Sequence, residues 1–331
     1  MSQLATLPRA GVGAALDVVG VLDPRSVGVA RYARSLAAAL AEEGVDYRLV
    51  ERRDPTRPAH VHLANSSRSL LLQSRRPAAP FLVTVHDVVP RTRALLPVYR
   101  VLAYPQVTLL AAAVVVHSAW AADMLRRHAG QPRRLEVLPH PAPRPPVCER
   151  AEARRALGWP DDCLVALVPG EVRRIKLLTE ALAAVEGLPD WRIALAGRAA
   201  DRQLARRAER DGAIVLADPG DLDYGRAIVA ADCVLCLRSG SVGETNGPLL
   251  DALGCGRAVL ATPTGSIPET AGDAALFCAP TASAIRLGLE ALLDADERAD
   301  HERLASARGA VLSASAAAAA HRDLFAEVFG G

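Results

Sequence analysis

The chain has 331 residues, half of them hydrophobic but only 4% aromatic. That is enough for two ordinary domains with cores of Ala, Val and Leu, and it favours an α/β class before any motif is read. No apolar run reaches the roughly 18 residues of a membrane span, and residues 1–9 lack the charged lead-in of a signal core, so a cytoplasmic protein is expected.

The net charge of +2 hides a split, because residues 1–150 hold 20 Arg against 11 acids, whereas residues 151–331 carry a net −7. The basic first half suits an anionic partner or a peripheral contact with a membrane surface. No nucleic-acid partner is expected. The chain contains a single lysine, Lys176, among 38 arginines. An ammonium is a compact point charge that the planar guanidinium does not reproduce, so this position points to chemistry or to a crowded phosphate site. The six cysteines are scattered; Cys233 and Cys236 have CxxC spacing but lie in ADCVLCL, a buried-strand pattern without a second ligand pair, and read as core thiols.

In chain order, a strand is expected over Val12–Leu22, a glycine-containing turn over Ser26–Val29 and a helix over Ala30–Glu43. Strand-like runs follow at His60–Leu63, Phe81–His86, Ala113–His117 and Leu135–Leu138. The proline-rich stretch Pro139–Val147 reads as a linker, placing a domain boundary between residues 144 and 145. The second half repeats the scheme with strands Leu164–Pro169, Trp191–Ala196, Ala213–Leu216, Cys233–Leu237, Ala258–Thr262 and Ala275–Phe277, and helices such as Leu177–Val185 and Asp201–Arg210. The tail, Ser313–Phe329, is an alanine-rich helix with Leu324, Phe325, Val328 and Phe329 on one face; it either closes the second domain (145–312) or crosses back to the first (1–144). The expected fold is two doubly wound, Rossmann-like parallel sheets facing a cleft.

Ligands in such sheets bind outside the carboxyl ends of the strands, and four loops there stand out. Gly28 opens a helix whose free amides suit a phosphate or a sugar hydroxyl. His86 and Asp87 form a titratable pair after the Phe81 strand. Gly170-Glu-Val-Arg173-Arg174-Ile-Lys176 combines a glycine turn with three cations, the pattern of a diphosphate clamp. The fourth loop runs from Ser239 to Gly256: Asn246 or Gly247 caps a helix with Pro248 in its first turn, and Glu244 and Asp251 flank the helix start. Asp251 could take ribose hydroxyls there, and Glu244 a sugar hydroxyl or the reacting carbon.

This last stretch, continued by RAVLATPTGSIPETAGD with Glu269, resembles the donor-site signature of the retaining GT-B glycosyltransferases of family 4, the glycosyl transferases group 1. In matching order come Gly28 before ARYARSLAAAL, the VTVHD strand end, VVVHSAWAADML, EVLPHP, Lys176, the LAGR turn at Gly197, ADCVLCLRSG and the Glu244 segment, so the resemblance covers about Val12 to Pro280. It implies an acceptor on the N-terminal domain, a nucleotide-sugar donor on the C-terminal one, and hexosyl transfer with retention, without metal or other cofactor. Carried onto this chain, Gly28 approaches the donor phosphates, His86 sits beside the transferred sugar, Lys176 binds the diphosphate and Asp251 holds the ribose, with Arg173, Arg174, Gly197, Thr245, Asn246 and Gly247 completing the donor site.

Three departures accompany the resemblance. The family places two glutamates eight residues apart; counting back from Asp251 gives Gly243, with Glu244 displaced by one. Glu171 stands where an arginine is usual, and the N-terminal domain, at about 140 residues, is short. The acceptor is either a cell-envelope glycan or lipid precursor or a small natural product, and the nucleotide is open. A sugar-nucleotide epimerase and a catalytically silent nucleotide-binding homologue are the alternatives.

Overall fold

The computed structural model describes residues 17–22, 27–64, 79–144 and 146–330. The chain forms two six-stranded parallel sheets. The first contains β1 (Asp17–Val21), β2 (Asp46–Val50), β3 (Ala59–Leu63), β4 (Phe81–Val85), β5 (Ala113–Val116) and β6 (Leu135–Val137), in the order β2-β1-β3-β4-β5-β6. The second contains β7 (Leu164–Pro169), β8 (Trp191–Gly197), β9 (Ile214–Ala217), β10 (Cys233–Cys236), β11 (Ala258–Ala261) and β12 (Ala275–Phe277), in the order β12-β11-β10-β7-β8-β9. Continuous apolar runs such as AVVV in β5 and CVLC in β10 are buried along their whole length, as parallel strands covered on both faces must be.

Most elements lie where the sequence puts them. Of the first expected strand, residues 12–16 fall outside the described residues, as does Ser26 of the turn, and helix α1 (Val27–Glu42) begins three residues before Ala30. β2 has no counterpart among the expected strands. Its sequence, DYRLV, alternates charge with apolar side chains, yet it pairs with β1 from Asp17↔Asp46 to Val21↔Val50 and buries Tyr47. A stretch of short helical turns at 93–110 holds Pro97 and Pro105, whose missing amides interrupt regular α-helical bonding. Helix α2 (Ala119–Ala129) follows β5, capped by Ser118.

In the second half, α3 (Arg150–Leu157), α4 (Leu178–Val185), α5 (Arg202–Arg210), α6 (Asp221–Ala230), α7 (Gly247–Gly254), α8 (Ile267–Ala271), α9 (Ala282–Ala291) and α10 (Ala295–Val311) wrap the sheet. Cys233 and Cys236 belong to core clusters on opposite faces of that sheet, so the CxxC pair cannot converge on one ligand. Burial raises both thiols above their ordinary value. No described helix is long and apolar enough to cross a membrane.

The last helix, α11 (Ala314–Phe329), settles the fate of the tail: it crosses back to the first sheet and packs along α1. Phe325 is fully buried there, its ring parallel to that of Tyr47 at 6.0 Å. Ion pairs Arg322–Glu43 and Arg134–Glu327 flank the contact. The first sheet therefore takes part of its core from the far end of the chain. Replacing Phe325 by Ala is expected to lower the unfolding free energy by about 3–5 kcal/mol, the usual cost of deleting a buried aromatic ring. Urea unfolding of wild type and variant measures it, and a loss below about 1 kcal/mol would show that the helix does not close this core.

Candidate functional site

The two sheets present the carboxyl ends of their strands to each other, and each has a point where strand order reverses. In the second sheet that point lies between β7 and β10, which pair only through Ala166 and Leu167 with Cys233 and Val234. Beyond these residues the strands part, and the Gly170–Lys176 turn fills the opening. Gly170 has φ +77°, and Gly197, at the end of β8, packs so closely on it that a Cβ would collide with the Gly170 carbonyl. Gly197 thus shapes the turn from behind.

Lys176 is 8% exposed, and its ammonium donates to the Pro169 carbonyl. A Cβ on Gly170 would lie 3.0 Å from Nζ, and the left-handed φ of this turn favours glycine in its own right. Burial, with Arg238 beside it, lowers the ammonium to about 7. Arg173 is paired with Glu171, and burial lowers its ordinary value. Arg174 is not brought into this group: its side chain is 91% exposed and faces Asp201, 3.7 Å away, because the 174–176 turn points it outward.

Two cations that the sequence reading passed over join the cluster. Arg238 follows β10, is half-buried, and lies 3.4 Å from Glu244. Arg91 lies 3.2 Å from Asp87, the partner of His86 in the HD pair. Arg91, Arg173 and Arg238 are close enough to influence one another's protonation, as are Arg173, Arg238 and Lys176. The result is a cluster of cations between the two halves, with Asp87, Glu171 and Glu244 paired among them.

Glu244 does not extend into open space. One carboxylate oxygen accepts from Ser241 Oγ and the Val242 amide, both at 2.7 Å, and the other faces Arg238. The carboxylate thus folds the 241–244 loop upon itself. That loop meets the first half directly: the Val88 and Val89 amides both donate to the Val242 carbonyl at 3.0 Å. Gly243 (φ +95°) lies under Val88, and a Cβ there would fall 2.5 Å from the Val88 Cβ. The position eight residues before Asp251 is therefore glycine because Val88 occupies the space above it.

Helix α7 begins as expected. Asn246 Oδ1 caps the Leu249 amide at 3.3 Å, Pro248 sits in the first turn, and Thr245 is half-buried just ahead of the cap. Gly247 is exposed with open space where a Cβ would be. One turn on, Asp251 is 3% exposed, bonded by Tyr224 Oη at 2.8 Å and by Arg31, which reaches across from α1. Burial raises the Asp251 carboxyl, while Arg31 and Tyr224 hold it down. Neither partner was singled out from sequence, although Arg31 stands in ARYARSLAAAL. Gly28 lies one turn before Arg31, exposed and with nothing within 4 Å of a Cβ position. No packing within the described residues requires that glycine.

On the first sheet, His86 follows β4. It is 8% exposed, its ring is 4.8 Å from Tyr32 and 5.2 Å from His117, and burial keeps it well below its ordinary value. The HD pair divides its labour: Asp87 binds Arg91, whereas His86 Nε2 meets His62 Nδ1 at 3.2 Å. Glu269 plays a part between the halves, its two oxygens accepting from the Ala119 and Trp120 amides at 2.6 and 3.1 Å at the start of α2.

Residues 163–295 match the family model described as Glycosyl transferases group 1. No curated protein matches the sequence. Among solved structures, the chain is similar to a glycosyltransferase from Rickettsia africae ESF-5, at 14% identity and TM-score 0.75, over 95% of this chain and 98% of that one. It is similar to sucrose-phosphate synthase from Thermosynechococcus elongatus at 17% identity and TM-score 0.76, over 95% and 99%. It is also similar to Anabaena Alr3699/HepE, solved in complex with UDP and glucose, at 11% identity and TM-score 0.71, over 94% and 100%. At these identities the likeness establishes the two-sheet GT-B fold.

The buried ammonium makes stability depend on pH. Unfolded, Lys176 keeps its proton up to about 10.5; folded, only to about 7. Between these values the unfolded chain binds more protons, so this group adds stability as pH rises through the window and withdraws it as pH falls. Lys176→Met lacks that increment. Its unfolding free energy relative to wild type, measured by urea titration across the window, is expected to decline as pH rises; a constant difference would contradict the buried ammonium.

Proposed function

We propose that this chain, whose residues 163–295 match the glycosyl transferases group 1 model and whose described residues have the GT-B fold, transfers a hexose-type sugar from a nucleoside-diphosphate sugar to an acceptor hydroxyl. The observation that carries the reading is the buried Lys176, clustered with Arg173 and Arg238 where β7 and β10 part. A diphosphate there would meet the buried Lys176 ammonium beside the half-buried Arg173 and Arg238, in surroundings where charge–charge attraction is stronger than in water.

In this reading residues 145–312 hold the donor and residues 1–144, with α11 against them, hold the acceptor. Lys176, Arg173 and Arg238 take the diphosphate, and the amides at Gly247 and Gly28 add donors from two helix starts. Asp251 turns to the ribose hydroxyls. Arg31, released from it, then faces the departing phosphates. The side-chain cations supply the charge stabilisation, so no metal is assigned a role. A donor phosphate oxygen takes the proton of the acceptor hydroxyl as the acceptor oxygen bonds to the anomeric carbon and the bond from that carbon to the diphosphate breaks on the same face. This course retains configuration and needs no protein nucleophile. Glu244 serves by holding its loop in shape. The arginine excess of residues 1–150 suits an anionic acceptor or one at a membrane surface.

A second reading, a nucleotide-binding homologue without transfer, draws on one observation: Val88 covers Gly243 where the family has a glutamate. A thermal-shift panel of UDP, GDP, ADP, TDP and CDP, followed by product analysis with the matching nucleotide sugars, separates the two. One diphosphate is expected to raise Tm, since a ligand binding only the native state adds stability, and its sugar conjugate is expected to be turned over. Lys176→Ala is expected to lower kcat by about 10²–10³-fold with the fold intact, the usual loss when a group stabilising developing charge is removed. Binding without turnover would favour the second reading, and no response to any diphosphate would overturn the donor site.

A further inference from the structure

Six of the eight histidines, His60, His62, His86, His117, His140 and His321, crowd around Tyr32 and Tyr47 behind the cleft face of the first sheet. Burial depresses all six; His62 falls to about 3, and His140 and His321 to about 4. At neutral pH each ring therefore carries one proton, and the nitrogen that holds it is set by hydrogen bonding.

One end of the network has a fixed polarity. His321 Nδ1 lies 2.7 Å from the Ala317 carbonyl, which can only accept, so the proton is on Nδ1 and Nε2 is bare. The Tyr32 hydroxyl, 3.3 Å from that Nε2, must donate to it. Having spent its only proton, Tyr32 can only accept, and the neighbouring Thr84 hydroxyl, which opposes the burial-driven rise of the Tyr32 phenol, is the group placed to donate to it. Thr84 Oγ1 then accepts from His60 Nε2 at 2.6 Å, leaving His60 Nδ1 bare. Tyr47 donates to that nitrogen at 2.9 Å and so accepts from His62 Nε2 at 2.8 Å. His62 Nδ1 is left bare, and it accepts from His86 Nε2 at 3.2 Å. Every group has one proton to give, so with the Thr84 hydroxyl turned toward Tyr32 the direction chosen at Ala317 is carried to His86.

We propose that this chain of seven side chains, anchored on the Ala317 carbonyl of α11, locks His86 in the Nε2–H tautomer and presents its Nδ1 as a bare acceptor. His321, Tyr32, Thr84, His60, Tyr47 and His62 are then positioning residues for His86, and the inference rests on the reading of His86 as a group beside the substrate. His117 is set the same way independently. Its Nδ1 donates to the Leu138 carbonyl at 2.9 Å, and its buried Nε2 has no partner among the described residues. Two neighbouring imidazoles, 5.2 Å apart between centroids, thus offer lone pairs rather than protons. They call for a ligand that donates, as the hydroxyls of a sugar or polyol do, and they disfavour a carboxylate or phosphate at this position.

Long-range proton–nitrogen correlation spectra of the full-length protein, labelled with nitrogen-15 histidine and recorded near neutral pH, read the tautomers directly without any substrate. His86→Asn assigns the His86 signals and His117→Asn those of His117. The wild type is expected to show His86 as Nε2–H alone and His117 as Nδ1–H. Tyr47→Phe and Thr84→Val each cut the chain at one hydroxyl, and each is expected to turn His86 into a mixture of tautomers while His117 is unchanged. An Nδ1–H His86 in the wild type, or a pure Nε2–H form surviving both cuts, would overturn the proposal. If Tyr47→Phe fails to fold, the wild-type spectrum and Thr84→Val still decide it. Failure of the glycosyl-transfer reading would appear in the turnover assay and leave these spectra unchanged.

Discussion

A charged ammonium removed from water has to be compensated, and the arrangement around Lys176 is organised by that requirement. The Pro169 carbonyl gives it one acceptor, but burial, and after it the nearby Arg238 and Arg173, act against its charge, and the result is a group close to losing its proton. The turn that holds it exists only because Gly170 and Gly197 let two strand ends approach to backbone contact. An arginine would bring a wider, planar head into a space where even a Cβ on Gly170 would come within 3.0 Å of Nζ. This explains why a chain that uses arginine everywhere else keeps lysine here.

The same logic extends across the cleft. Asp251 is buried by its own helix and would be raised further without Arg31, which comes from the other half of the molecule. Glu269 finds its partners at the start of α2, where free amides and the helix dipole favour a carboxylate. Val242 offers its carbonyl to two amides of the 88–89 turn. These contacts are polar, and polar interfaces between domains exchange for water more readily than apolar ones. A ligand that competes for Asp251 or for the cations therefore acts on the relation of the two halves, not on the core of either.

Much of this was legible in the sequence because strand ends in parallel sheets mark where ligands bind. The loops holding Gly28, His86, Lys176 and Asp251 were located from short apolar runs and the glycines after them. Arg31, Tyr224, Arg91 and Arg238 were not, since each matters through a partner far away in the chain, 220 residues away for Arg31 and Asp251. Arg174 and Arg173 were indistinguishable as neighbours; only the twist of the 174–176 turn sends one outward. The histidine network had a visible signal that went unread. AHVHL and VTVHD place His60 and His62, and Thr84 and His86, two residues apart, hence on one face of adjacent strands. Polar residues repeated on a face that must be buried require partners, and here the partners arrive on α1, β2 and α11.

That dependence gives the tail helix a double role. It completes the core of the first sheet through Phe325, and through His321 it sits at the head of the hydrogen-bond chain. Reaching this place requires a second crossover between the halves, at 311–314, beside the first at 138–149. The two are joined, with the Ala142 amide bonding the Leu312 carbonyl at 2.6 Å, and Gly254 lets the first lie flat against the end of α7 because a Cβ there would strike the Pro143 carbonyl. Any change in the angle between the halves must therefore bend both crossovers together. Because α11 packs on α1 and the core of the first sheet, His321 and the groups behind His86 all lie within one half, on the same side of both crossovers.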